Sequence, residues 1–165
     1  MSWSPRAKAF WPILVTLLIA DCTTKELAER FLVPEHTPHN VVGNVVRLTL
    51  TYNPGAAMGL SIGAYSRIGI SIAAILAVVI LVVLYRATLP TDRVRATALA
   101  LLVAGASGNL INRLMSPRGV VDFIDIGLPF WRFWTFNLAD AGLTIGGLLL
   151  LRVMWHETAK REGAT

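Results

Sequence analysis

Charge is scarce in this 165-residue chain: 15% of its residues are Asp, Glu, Lys or Arg, and only ten are acidic. With 55% hydrophobic residues and a mean hydropathy of +0.60, that excludes an ordinary water-soluble globule, whose surface must be polar. Cysteine occurs once, at Cys22, which rules out an intramolecular disulfide and any multi-cysteine metal site. Histidine occurs three times, as His36, His39 and His156, all expected in or beside loops. His36 and His39 raise the idea of a metal pair, but acidic ligands near them are few, so no metal and no cofactor are expected. A basic face studded with stacking aromatics is also missing. The net charge of +5 therefore does not point to nucleic acid. Internal repeats and low-complexity linkers are absent, so residues 1–165 read as a single membrane-embedded domain.

What the chain has is long apolar runs. The clearest is 67–86, "RIGISIAAILAVVILVVLYR", with about 18 uncharged residues between two arginines, enough to span roughly 30 Å of hydrocarbon. Three more lie at about 10–20 (extending outward toward Leu32 as an amphipathic continuation), 96–114 and 138–155. Four spans leave two longer loops, about 21–66 and 115–137, on one side. Arg6 and Lys8, the short connection with Arg86, Arg93 and Arg95, and the tail with Arg152, Lys160 and Arg161 lie on the other. Short basic loops stay inside, so both termini are expected in the cytoplasm and the long loops outside. In the first long loop "VVRLTLTYN" alternates, with Leu48, Leu50 and Tyr52 to one face and Arg47, Thr49 and Thr51 to the other. With the preceding "VVGN" it predicts a strand or hairpin. In the second, "PFWRFWTFN" is crowded with aromatics of the kind that settle at the membrane–water interface.

Polar groups at membrane depth are costly, and here they are not scattered. Asp21 and Lys25 lie one turn apart at the outer end of the first span. Asn53 precedes a Pro54–Gly55 turn. Asn109 and Arg113 share a face near the outer end of the third span, Asp122 lies just beyond it, and Asn137 and Asp140 open the fourth. The four-span topology brings all of them to one outer boundary. Two carboxylates in a poorly solvated place cannot both ionise cheaply, so Asp122 and Asp140 are expected to share a proton. Such a pair can split a peptide bond with water, one member taking a proton while the other polarises the carbonyl. The plain competing reading is helix capping, for which Asn137 and Asp140 are suitable residue types.

At this point the motifs resemble those of the lipoprotein signal peptidase family, the type II signal peptidases of bacteria, along nearly the whole chain. The family's D-x-x-x-K appears as "DCTTK", its N-x-G-A-A as "NPGAA", its G-N-x-x-x-R as "GNLINR", its V-V-D-F as "VVDF" and its F-N-x-A-D as "FNLAD", in the family's order. The resemblance implies a four-helix membrane protein with a small extracytoplasmic β-cradle and an amphipathic lid helix. It implies an inner-membrane aspartyl endopeptidase that needs no metal. This enzyme removes the signal peptide of diacylglyceryl-modified prolipoproteins just before the lipidated cysteine, in contact with membrane phospholipid. Asp122 and Asp140 match the catalytic pair. Asp21, Lys25, Asn53, Gly55, Asn109, Arg113 and Asn137 match residues that bind substrate or orient the pair. Two positions depart from the family's common pattern: Cys22 stands where glutamine is usual, and Asn112 where aspartate is usual.

Other readings compete. Basic residues, an apolar run and then a cysteine are the build of a cleavable lipoprotein signal peptide. That build needs a small residue just before the cysteine, however, and "LIADC" has Asp21. "GASG" fits a rhomboid-type serine motif at Ser107, but no histidine is expected within a span, and close helix packing explains the small residues better. A membrane carrier using the two aspartates as a relay, or an inactive structural homologue, are the alternatives outside catalysis. Carriers usually place such groups at the midplane between repeated halves, and neither feature is visible here.

Overall fold

Ser4 and Pro5 start the first helix. The Ser4 hydroxyl accepts from the Ala7 amide at 3.4 Å, and Pro5 occupies a first-turn position where no N–H is required. A computed structural model describes residues 3–55 and 66–162. Its elements in chain order are α1 (Pro5–Phe31), β1 (His39–Val42), β2 (Val46–Asn53), α2 (Ser66–Ala87), α3 (Arg93–Met115), β3 (Val120–Leu128), β4 (Trp131–Arg132) and α4 (Leu138–Glu162). All four helices are long and apolar enough to cross a membrane. The first span was expected to extend beyond residue 20 toward Leu32 as an amphipathic continuation, and α1 runs unbroken to Phe31, through residues also counted in the first long loop. The reason is packing: Ala28 and Leu32 are buried against Leu50, Val121 and Phe123, so the continuation of α1 supports the sheet.

The central helix is α3, packed against α1, α2 and α4. Its buried positions as far as Gly108 are small or branched, including Ala96, Ala100, Ala104 and Gly105, and beyond them Asn109 and Arg113 are buried too. A methyl group at Gly105 would stand 2.4 Å from the Ala139 carbonyl oxygen, so α4 approaches α3 this closely only over glycine. By contrast α2 is apolar all round and mostly exposed, as a helix facing lipid should be.

At the end of the bundle that carries both termini, Arg6 donates to the last carbonyls of α2 and its turn, at Arg86 (3.1 Å) and at Thr88. Phe10 stacks on Tyr85 with 3.7 Å between ring centroids. Arg95 pairs with Glu157 near the end of α4. These contacts join the start of α1, the α2–α3 turn and the end of α4.

At the opposite end the strands form one antiparallel sheet in the order β1-β2-β3-β4. The expected hairpin is present and turns through Gly43 at φ +51°, in the left-handed region that glycine adopts freely. The expected alternation also holds, since Leu48, Leu50 and Tyr52 pack toward α1. β3 goes beyond the sequence expectation: "VVDF", expected simply just beyond the third span, lies in a central strand of the sheet, with Thr51 opposite Asp122 and Arg47 opposite Asp125. Among the described residues no lid helix occurs beside the four long helices; residues 56–65, with the last two positions of "NPGAA", lie outside them.

Candidate active site

The site forms where β3 meets the start of α4. Phe136 exchanges backbone hydrogen bonds with Ile124, at 3.0 and 2.8 Å, so the chain entering α4 runs alongside β3. This sets Asn137 between the two aspartates. Its Nδ2 donates to Asp122 Oδ1 at 2.7 Å, and its Oδ1 accepts from the Asp140 amide at 2.9 Å. Its own amide donates to Asp140 Oδ2 at 3.1 Å. The reciprocal pair is a capping box, with Asn137 as cap and Asp140 three residues in. The capping reading is therefore correct as far as it goes, but it leaves Asp140 Oδ1 unused. That oxygen accepts from Asn109 Nδ2 at 2.7 Å. Both oxygens of Asp140 thus act as acceptors, as those of an ionised carboxylate do.

Asp122 sits differently. It is 4% exposed, it faces Asp140, and the groups that hydrogen-bond to it are the neutral amides of Asn137 and Asn53. Burial first, and then the charge of Asp140, push its carboxyl up to about 7 against the opposing pull of the two amides.

Asn109 orients the network. Its Oδ1 accepts from Lys25 Nζ at 2.9 Å and from Asn137 Nδ2 at 3.1 Å, which leaves its Nδ2 aimed at Asp140. Lys25 is in turn paired with Asp21 at 2.7 Å, and Asp21 Oδ1 accepts from the Ala139 amide at 2.9 Å in the first turn of α4. A methyl group at Gly108 would stand 2.4 Å from Asp21 Oδ2, so glycine there makes room for the carboxylate. Asp21 and Lys25 are 0% and 2% exposed and stand behind the site rather than lining it. Removing one partner of so deeply buried a pair costs about 3–5 kcal/mol.

In front of the network opens a cleft of about 540 Å³. Asn53, Asn109, Arg113, Asp122 and Asp140 line its polar end. Arg113 donates to the Asn109 carbonyl at 3.3 Å and to the Gly55 carbonyl at 3.1 Å, while its buried Nε has no partner among the described residues. Gly55 therefore takes part through its backbone. The apolar end is built from Ala73, Ala74 and Ala77 of α2, Leu143 of α4, and Phe133, Trp134 and Phe136 before α4. Those aromatics are more than interfacial anchors, which residue type alone did not reveal. Asn112, marked in the sequence only as a departure from the family's pattern, accepts from the Val121 amide at 3.2 Å and ties β3 to α3 one residue before Asp122. Cys22 is exposed on α1. Among the described residues no His, Cys, Asp and Glu cluster could hold a metal ion.

Comparison with known proteins agrees along almost the whole chain. The family model described as signal peptidase (SPase) II matches residues 13–156. The chain belongs to the signal peptidase II family. It is thus a multi-pass membrane protein of a protease family. A lipoprotein signal peptidase of Anoxybacillus flavithermus is 33% identical over 155 residues, 93% of this chain and 89% of its own. Another, of Caldicellulosiruptor bescii, is 37% identical over 143 residues, 86% of this chain and 87% of its own. A bacterial membrane enzyme solved by the in meso method at 2.3 Å superposes with a TM-score of 0.80 at 30% identity, covering 90% of this chain and 88% of that one. Membership in a peptidase family leaves no ground for the carrier reading.

Proposed function

We propose that the chain is an intramembrane aspartyl endopeptidase that removes the signal peptide from diacylglyceryl-modified prolipoproteins, cutting just before the lipidated cysteine. The observation that carries the aspartyl mechanism is the asymmetric pair: Asn137 touches both carboxyls, Asp140 accepts at both oxygens, and Asp122 is pushed up to about 7. Asp140 is the base and Asp122 the acid. A water between them gives a proton to Asp140 as its oxygen attacks the scissile carbonyl, and Asp122 gives its proton to the carbonyl oxygen. The tetrahedral intermediate collapses as Asp140 passes its proton to the leaving amine, and the hydroxyl proton returns to Asp122. Atoms and charge balance, and the dyad is restored. No covalent intermediate forms.

Arg113 and Asn53, at the polar end of the cleft, hold the substrate backbone, and the alanine and aromatic walls take its apolar part. The site lies at the outer face and both termini are cytoplasmic, supported by the basic residues at the inner ends of the helices.

A mobility-shift assay on a diacylglyceryl-modified prolipoprotein, with purified protein in liposomes, tests this reading. Wild type is expected to cleave, and Asp140→Asn and Asp122→Asn to be folded and inactive. Cleavage by either mutant would move the chemistry elsewhere. A folded wild type that fails on validated substrate would support the inactive-homologue alternative.

A further inference from the structure

Asp125 follows Asp122 by three residues on β3 and is 5% exposed, yet it does not line the cleft. Instead it collects charge. Arg47 of β2 donates Nε to Oδ2 at 2.9 Å, Thr49 Oγ1 reaches the same oxygen at 3.2 Å, and Arg132 Nε reaches Oδ1 at 2.6 Å. Arg132 spreads further than its fellow. It donates to the Asp125 carbonyl at 3.0 Å and, through Nη1, to the Asn44 carbonyl at the tip of the β1–β2 hairpin at 2.8 Å. One guanidinium therefore joins three pieces of the outer region: the hairpin tip, the central strand and β4.

β4 is only two residues long, and two strand residues supply little hold of their own. Yet β4 leads directly into Phe133, Trp134 and Phe136, the aromatic wall of the cleft. Between β4 and α4 the backbone is tied to β3 by Phe133 to Ile126 (2.9 Å), by the Phe136–Ile124 exchange and by the Phe123 amide to the Phe136 carbonyl (3.1 Å), which leaves Trp134 and Thr135 without a strand partner. Given the peptidase reading above, we infer that Arg132, seated on Asp125, is a positioning residue for substrate binding: it fixes the aromatic wall against which the apolar part of the substrate packs. It acts through the wall and touches neither reacting carboxyl. Its loss loosens binding and leaves the dyad as it was.

Arg47 supplies the internal control, because it binds the same carboxylate and makes no hydrogen bond to β4. Steady-state cleavage of a fluorogenic diacylglyceryl-peptide by the full chain in detergent separates the two. For Arg132→Gln, KM is expected to rise about tenfold, with kcat within about threefold of wild type and the pH profile unmoved. Arg132→Lys, which keeps the charge but loses the fork, should fall between. Arg47→Gln should leave KM within about twofold. Equal KM shifts in the Arg47 and Arg132 variants, or a wild-type KM in Arg132→Lys, would overturn the assignment. So would a loss confined to kcat. Failure of the peptidase reading is distinguishable, because it would appear as activity retained in Asp122→Asn or absent in wild type.

Discussion

Asp122 and Asp125 share a strand, a residue type and nearly the same small exposure, 4% and 5%, and they behave in opposite ways. Asp122 is pushed up to about 7, while Asp125 is held below the ordinary carboxylate range. Burial acts on both in the same direction, toward the neutral acid. The difference lies across the sheet. The residue paired with Asp125 on β2 is Arg47, and the residue paired with Asp122 is Thr51. At Asp125, hydrogen bonds from Arg132 and Arg47, and their charges, outweigh the burial effect. At Asp122 the hydrogen bonds come from neutral amides, a second carboxylate adds to the effect of burial, and the charge of Lys25 pulls the other way only weakly, so burial prevails. A buried aspartate becomes a structural anion or an available acid according to whether a cation stands opposite.

The largest expected effect breaks the comparison at its chemical end. Asp122→Asn should reduce cleavage by about a thousandfold or more, the scale of a lost proton-transfer group, whereas Asp125→Asn should keep most of kcat. Comparable losses of kcat in the two would mean that the strand does not divide the roles in this way. Next is the exchange of cross-strand partners. Thr51→Arg places a cation beside Asp122, as Arg47 stands beside Asp125, and should draw the carboxyl down by about one to three pH units. Since the proposed acid must be protonated, activity in wild type is present below about 7 and falls roughly tenfold per unit above it. In Thr51→Arg that alkaline limb should shift to lower pH, which a pH–rate profile reads directly.

A smaller effect concerns stability. Asp125→Asn leaves two half-buried guanidinium groups without their anion and should cost about 1–3 kcal/mol, seen as a lower unfolding temperature in detergent. The discount from the buried-pair range reflects solvent at both arginines. Smaller still, Asn112→Ala removes the acceptor for the Val121 amide and should lower kcat severalfold by loosening β3 next to Asp122, with KM little changed. Cys22→Ser on the exposed face of α1 should change neither parameter.

The helices were legible because crossing hydrocarbon forces long uncharged runs, and the four expected spans all fall within α1 to α4. The outward continuation of α1 was only half legible, since Asp21, Lys25, Glu26, Glu29 and Arg30 interrupt its apolar pattern. Its reason, a buried ion pair on one side and the sheet on the other, lies in distant residues. β2 showed itself by alternation, as expected of a strand with one face packed on α1. β3 did not, because residues 120–123 are buried on both faces and the run reads as simply apolar. With β3 unseen, Asp125 had no visible partner, Asn112 had no visible task, and the aromatics before α4 had no cleft to line.

By itself the sequence determined the membrane-spanning class, the four helices, the hairpin, and the residue types gathered at one boundary, through the cost of placing polar groups in lipid. Only the tertiary structure decided how those residues divide the work. It set Asp21 and Lys25 behind the site, made Asn137 both a helix cap and the bridge between two carboxyls, and put threonine opposite one aspartate and arginine opposite the other. The physical reason is that local sequence carries burial tendencies and periodicity, whereas the charge facing a buried group comes from whichever strand or helix the fold brings beside it.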